Sequence, residues 1–230
     1  MKGYPEPRVL LCGDTGISVE FGNAIDPALN HRVRLLFGQL VKRQLSGILG
    51  LNPTYRSLFI QYDPWQCSFE NLLLVVEECL KAAPEGTVAS APVIEIPVCY
   101  GGEYGPDLDA VASFHGMTPD EVVRLHCAAL YYVYMIGFTP GFPYLGGLDE
   151  RLHTPRRKEP RKVVPAGSVG IADRQTGIYP IDSPGGWRLI GKTPVRIFDL
   201  EKADPFTIHA GDSLKFKPIT REAFASHQRS

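Results

Sequence analysis

A chain of 230 residues is long enough to bury the core of one large domain or of two small ones. Its composition, 44% hydrophobic and 21% charged, is typical of a soluble globular protein. The formal net charge of -1 favours neither a nucleic-acid partner nor a membrane partner. Met1–Leu11 lacks a signal-peptide pattern, and the apolar runs of the chain are too short to span a bilayer.

The cysteines and histidines of the chain indicate no metal site. The five cysteines form no CxxC pair, and the histidines are not spaced as metal ligands. We therefore predict buried free thiols in a reducing cytoplasm and no bound metal. We also identify no P-loop, and we predict that this chain carries no ATP motif of its own.

Residues 1–84 are predicted to form a small α/β sandwich. Alternating apolar and polar residues indicate strands, and an Asp or Ser cap before an apolar helical pattern indicates a helix. The predicted elements are strands at 8–12, 17–21, 47–52 and 57–62, and helices that begin after Asp26 and after Ser68. The order β-β-α-β-β-α places both helices over one face of a sheet.

A second domain is predicted over residues 92–218, after a Pro/Gly/Ala-rich linker at 82–92. Its short strands, separated by Gly/Pro turns, are typical of a β-barrel, so the predicted fold class is α+β. Strands are predicted at 93–98, 131–138, 187–190, 195–198 and 213–217, with helices at 107–114 and after the cap Thr118. Pro97 predicts a sheet edge or a bulge, and residues 219–230 predict a polar tail that ends in disorder.

The stretch Gly137–Trp187 combines many Gly and Pro residues with many aromatic and aliphatic ones. No amphipathic helix can run through this much Gly and Pro, and disordered linkers lack such apolar content. We therefore interpret it as tightly turned loops and short strands that pack together. A backbone of this kind indicates a candidate functional site.

Several blocks of this stretch carry a family resemblance, namely GFTPGFPYLGGL, TPRRKEPR, VPAGSVG and QTGIYPIDSPGGWRLIGKTP. Near the start, GDTGISVEFGNAIDPALNHRV adds to it. Together they resemble the family that includes the B-type subunit of 5-oxoprolinase, allophanate hydrolase subunit 1 and the kinase inhibitor KipI. The resemblance implies a cyclophilin-like β-barrel as the second domain. It also implies that the chain corresponds to subdomains C and D of a carboxyltransferase domain.

The resemblance implies three functions. The first is the B-type subunit of a heteromeric ATP-dependent 5-oxoprolinase, which opens 5-oxoproline to L-glutamate with a larger, carboxyltransferase-like partner of the C type and is inactive alone. The second is a carboxyltransferase or allophanate-hydrolase subunit that acts on urea or a related amide. The third is an inhibitor that binds a histidine kinase, as KipI does. In the two enzyme readings the substrate is a small amide or lactam, and ATP is used by the complex.

Candidate site residues come from the central stretch and from one preceding helix. We assign catalysis to His126, whose ordinary pKa suits proton transfer, and to the Ser183 hydroxyl. Arg161, chosen from a basic cluster that also contains Arg156 and Arg157, is expected to neutralise an anionic substrate group. Substrate binding is further assigned to an amide-bonding Gln175 and to the aromatic walls Tyr179 and Trp187.

One position departs from the family pattern. Asp173 stands where family members commonly have glycine before the glutamine, and it adds a charge where a small residue is expected. This departure argues against a close match to the substrates of the family, but not against its fold.

Overall fold

The structure, a computed structural model, describes residues 3–82 and 92–227. The chain divides into two units, residues 1–90 and 91–230. The predicted linker falls largely on residues 83–91, which lie outside the described residues. The domain boundaries at 84 and 92 therefore stay predictions, and limited proteolysis between Leu80 and Val93 tests them.

The first unit is an antiparallel sheet packed against two helices, so the β-β-α-β-β-α order is confirmed. The sheet order is β1-β2-β4-β3. The elements are β1 Gly3–Leu11, β2 Gly16–Gly22, α1 Pro27–Arg43, β3 Ile48–Pro53, β4 Ser57–Tyr62 and α2 Phe69–Ala82. Asp26 caps α1 by accepting a hydrogen bond from the Ala28 N–H at 2.9 Å. Ile17, Val19 and Phe21 alternate along β2 and bury one face of the sheet.

The second unit is a closed seven-strand barrel with the strand order β10-β7-β6-β13-β5-β12-β9. Only β5 and β13 run parallel; the other barrel pairs are antiparallel. The barrel strands are β5 Ile94–Tyr100, β6 Tyr131–Ile136, β7 Pro143–Gly146, β9 Ser168–Ala172, β10 Gln175–Ile178, β12 Arg188–Lys192 and β13 Ser213–Pro218. Strands β8 Arg161–Val164 and β11 Ser183–Gly185 pair separately.

Three helices and one 3-10 turn accompany the barrel. They are α3 Leu108–His115, α4 Pro119–Ala128, α5 Arg221–His227 and the 3-10 turn Glu150–Leu152. The capping box that predicted the start of α4 is present, because Thr118 and Glu121 bond each other's backbone N–H groups. The apolar faces of α3 and α4 belong to the same core as the barrel interior.

Two local predictions for this unit are wrong, and one is confirmed. Residues 195–198 form no strand and contribute only an isolated bridge between Phe198 and Phe206. The edge predicted at Pro97 is present, because β12 pairs with β5 only at Cys99 and Tyr100 and leaves Pro97 paired on one side alone, with Lys217 of β13. The predicted polar tail contains α5, which forms because Phe224 is 1% exposed and packs on an aromatic ring of the barrel unit.

Candidate functional site

A cavity of about 240 Å³ opens in the barrel unit, and every residue that lines it lies in the stretch from Gly137 to Trp187. The lining comes from the β6–β7 loop, the segment before β8, the β9–β10 turn and the β11–β12 turn. The lining residues are Phe138, Phe142, Tyr144, Arg156, Ala172, Asp173, Gln175, Tyr179, Gly185, Gly186 and Trp187. Of the six predicted site residues, the cavity brings together Gln175, Tyr179 and Trp187.

Aromatic rings in edge-to-face contact form the wall of the cavity. The Phe142 ring centroid lies 5.2 Å from that of Tyr179 and 5.3 Å from that of Trp187. Glycine at 177 makes this packing possible, because a Cβ there would lie 2.9 Å from the Phe142 ring. The predicted aromatic wall therefore exists in the structure, with Phe142 as its centre.

The backbone is strained at two of the lining residues. Phe138 has a φ of 62° and Asp173 a φ of 51°, both in the left-handed region that favours glycine. The third non-glycine residue of positive φ in the described ranges, Gln44, is simply the C-cap of α1. The position at which Asp173 replaces the usual glycine thus requires a conformation that Asp tolerates. Strain of this kind clusters at functional sites.

The predicted anion ligand, Arg161, is engaged elsewhere. Its guanidinium lies 2.9 Å from the carboxylate of Asp107, which is 4% exposed. Arg157 lies 3.2 Å from the same carboxylate, and the Leu189 N–H donates to it at 2.7 Å. Burial raises the pKa of Asp107, but these hydrogen bonds and the two arginines outweigh burial and lower that pKa. Arg161 therefore holds β8 to the start of α3 and does not line the cavity.

Arg156 is the arginine that lines the cavity. Its side chain is exposed and makes no hydrogen bond or ion pair with any residue in the described ranges. The adjacent backbone is fixed, because the Arg157 N–H donates to the Gly186 carbonyl at 2.8 Å. The sequence pattern TPRRKEPR contains this arginine, but it gave no reason to prefer Arg156 over its neighbours.

His126 lies in the barrel core, away from the cavity lining. It is 0% exposed, and desolvation by burial lowers its pKa from 6.5 to about 3. Its Nδ1 lies 2.8 Å from the Tyr100 hydroxyl, and its Nε2 lies 3.0 Å from the Thr176 Oγ1. The buried imidazole is therefore neutral near pH 7, and its pKa no longer lies in the range that made it a candidate for proton transfer.

Ser183 also lies outside the cavity lining. Its side chain is 7% exposed, and its Oγ has no hydrogen-bond partner among the described residues. Its place in β11 is fixed by pairing with Val164. The catalytic roles assigned to His126 and Ser183 from the sequence stay predictions.

The expectation that the chain lacks an ATP motif is wrong for the amino-acid sequence, because one stretch matches the P-loop pattern. Residues 186–193 read GWRLIGKT, which matches the spacing GxxxxGK[ST]. A P-loop needs a loop that leads into a helix, but here residues 188–192 form β12 inside the barrel. A Cβ at Gly191 would lie 2.6 Å from Val98, so this glycine serves strand packing and cradles no phosphate.

A second, more open cavity of about 550 Å³ lies at the loops that follow β12. It is lined by both acidic and basic side chains, including Asp182, Lys192, Arg196, Asp199 and Glu201.

In the described ranges, no cluster of three His, Cys, Asp or Glu side chains has the arrangement of a metal site. Among those residues no helix is long and apolar enough to cross a membrane. Cys12 is exposed, so not every thiol is buried as predicted.

The barrel and the sequence agree with one family. Residues 7–208 match the model of the carboxyltransferase domain, subdomain C and D. This match covers most of the chain, which therefore belongs to that family.

Within the family, the chain is similar to proteins named as the B-type subunit of 5-oxoprolinase. It is 39% identical to the one from Bacillus subtilis, over 94% of each chain, and 43% identical to the one from Escherichia coli O157:H7, over 92% of this chain and 95% of that protein. It is 24% identical to the urea amidolyase of Saccharomyces cerevisiae, over 94% of this chain but only 14% of the yeast protein.

Solved structures give the same fold. The crystal structure of TTHA0988 superposes with a TM-score of 0.81 at 39% identity, over 89% of this chain. This chain spans only 40% of TTHA0988, so the fold occurs there within a longer protein. The urea amidolyase of Kluyveromyces lactis superposes with a TM-score of 0.76 at 21% identity, which shows the common fold.

Proposed function

We propose that this chain is the B-type subunit of an ATP-dependent 5-oxoprolinase, which opens 5-oxoproline to L-glutamate. The observation that carries the proposal is the similarity, at 39% and 43% identity, to two proteins of that name over more than nine-tenths of each chain. The family resemblance of the sequence also implied this function. The proposal includes a cytoplasmic location, in which the five free cysteines would stay reduced.

The cavity has features that suit a small lactam. Its volume of about 240 Å³ is below the range typical of drug-sized ligands, so one five-membered ring is an appropriate occupant. Its aromatic wall offers apolar faces to the ring, and its lining includes the polar side chain of Gln175. These features of the cavity would bind a lactam but would not activate it. A lactam is a poor electrophile, and ATP would supply its activation.

A larger, carboxyltransferase-like partner of the C type is part of the proposal. The GxxxxGK[ST] letters of this chain form a strand, and the cavity presents a single arginine, so its residues do not fit a triphosphate. We therefore assign ATP handling to the partner and derive no step through ATP from this chain. The isolated chain is expected to be inactive.

The test is to copurify the chain with its endogenous partners and to assay glutamate release from 5-oxoproline with and without ATP. The proposal expects ATP-dependent release by the complex and none by the chain alone. Robust turnover by the partner-free chain would contradict the partner assignment. No release by the complex would contradict the function itself.

Carboxyl transfer onto urea is the second candidate. The observation that favours it is the similarity to the urea amidolyase of Saccharomyces cerevisiae, which extends over 94% of this chain. Its 24% identity is well below the 39% and 43% of the 5-oxoprolinase subunits. Urea-dependent use of carboxybiotin by the same complex would favour it. Binding to a histidine kinase without turnover in either assay would instead favour a KipI-like inhibitor.

A further inference from the structure

The three arginines next to the cavity separate into a bound pair and an unpaired one. Arg157 and Arg161 share the buried carboxylate of Asp107, at 3.2 and 2.9 Å. Arg156 lines the cavity, and its guanidinium makes no ion pair within the part of the chain that the structure describes. Because the first two guanidinium groups are bonded to Asp107 and lie outside the cavity lining, only Arg156 offers the cavity a cation that a ligand anion can pair with.

The Arg156 guanidinium lies beside the β11–β12 turn that forms part of the cavity lining. A Cβ at Gly186 would lie 3.7 Å from its Nη2, in ordinary van der Waals contact. Burial raises the pKa values of Tyr144 and Tyr179, and the positive charge of Arg156 acts against both increases. The cation and the two phenol groups are therefore close enough to interact electrostatically.

Tyr179 places a hydroxyl group at the same cavity. The residue is 1% exposed, and its ring packs edge-to-face against those of Phe142 and Trp187. A Cβ at Gly185 would overlap that hydroxyl, so glycine is required for the phenol to lie where it does. The phenol hydroxyl carries one proton that it can donate to a ligand oxygen in the cavity.

We infer that this cavity recognises a small carboxylic acid that also carries an amide oxygen: Arg156 binds the carboxylate, and the Tyr179 hydroxyl donates to the amide oxygen. The inference rests on the proposed function for its choice of ligand, 5-oxoproline. It replaces Arg161 with Arg156 as the anion ligand. It also gives Tyr179 a polar role in addition to that of an apolar wall.

Two substrates can distinguish the Arg156 contact with the carboxylate from the Tyr179 contact with the amide oxygen. They are 5-oxoproline and 2-pyrrolidinone, which is the same lactam without the carboxylate. In the copurified complex, Arg156→Met should raise KM for 5-oxoproline about ten- to one-hundredfold, as expected for a lost hydrogen bond to a charged group. It should leave the weaker use of 2-pyrrolidinone unchanged. Tyr179→Phe should raise KM for both lactams by a similar factor of about ten.

The matched control is Lys158→Met, which removes a positive charge from the same loop at a residue outside the cavity lining. It should leave both KM values unchanged. Circular dichroism and copurification with the partner establish that each variant is folded and assembled. An active complex in which Arg156→Met has an unchanged KM for 5-oxoproline overturns the inference and leaves the proposed function intact.

A binding measurement separates the inference from the proposed function. The chain has two tryptophans, and Trp65 is 96% exposed in the other unit, so Trp65→Phe leaves Trp187 at the cavity as the single fluorescent reporter. 5-Oxoproline should change the emission of this protein, and Arg156→Met should abolish the change. If the complex is inactive but this response is present, carboxylate recognition stands and the proposed function fails. An inactive complex with no response overturns both.

Discussion

The barrel unit contains two clusters of polar and aromatic side chains that differ in how completely their hydrogen bonds are satisfied. In the core cluster, the Thr176 hydroxyl donates to the Gly170 carbonyl at 2.9 Å, so it accepts from the Nε2–H of His126. The Nδ1 of His126 then accepts from the Tyr100 hydroxyl, which itself accepts from the Cys127 thiol at 3.4 Å. Each of these groups has its partner inside the protein.

The cavity cluster contains similar residue types but leaves donors unused. Arg156 has no ion-pair partner within the described ranges, and it lines the cavity together with the Tyr179 phenol. A saturated cluster stabilises the fold, whereas an unsaturated one beside open space can bind a ligand. Unsatisfied hydrogen-bonding capacity therefore distinguishes a binding site from a polar core better than residue type does.

The largest expected effect comes from breaking the core cluster. His126→Ala removes a fully buried ring and leaves the Tyr100 and Thr176 hydroxyls with fewer partners. We expect the free energy of unfolding to fall by about 3–5 kcal/mol. Urea denaturation measures the change, and Arg156→Met serves as the control, with a change below about 0.5 kcal/mol. Equal stability of the two variants would remove the distinction between the clusters.

Acid should weaken the core cluster through the same histidine. In the fold the pKa of His126 is lowered to about 3, whereas in the unfolded chain it is close to 6.5. Between these values the unfolded state binds more protons, so stability falls as the pH falls from 6.5 towards 3, by up to about 1.4 kcal/mol per pH unit. The difference in denaturation midpoint between wild type and His126→Gln, followed over this pH range, isolates the contribution. A difference that does not change with pH would contradict it.

Arg161 and Arg156 should differ in what their loss affects. Arg161→Met leaves the buried Asp107 carboxylate with one fewer cation, and we expect a loss of about 2 kcal/mol in the free energy of unfolding. Arg156→Met should leave stability unchanged and lower substrate affinity in the complex. Thermal denaturation and KM, measured on both variants, give the comparison. A destabilised Arg156→Met with an intact KM would reverse the assignment.

The smallest expected effect is a gain in stability from relieving strain at the cavity. Phe138→Gly replaces a residue of φ 62° and 61% exposure, so relief of backbone strain should offset the added chain entropy and stabilise the protein by up to about 1 kcal/mol. Gln44→Gly, at the left-handed C-cap of α1, is the matched control with a similar gain. Turnover of the complex should fall only for Phe138→Gly. Unchanged turnover would make the Phe138 strain a feature of folding alone.

Local chemistry explains which elements were predictable. Asp26 and the Thr118 capping box fix the starts of α1 and α4 through bonds within a few residues, and such bonds can be seen in the sequence. The central stretch was also identifiable as a site, because its Gly, Pro and aromatic content excluded both a helix and a linker. The false strand at 195–198 shows the limit: its alternation was real, but only Phe198 finds a bridging partner.

The family, the barrel class and the stretch that forms the cavity could all be predicted from the amino-acid sequence, because these depend on residue types in a fixed order. Which arginine is available to a ligand became visible only in the folded chain. Asp107 lies 54 residues before Arg161 in the chain, and folding brings them within 2.9 Å, so no local pattern could show that Arg161 is bonded to a buried carboxylate and Arg156 is not. The same holds for GWRLIGKT, whose letters match a phosphate loop but whose neighbours in the barrel make it a strand.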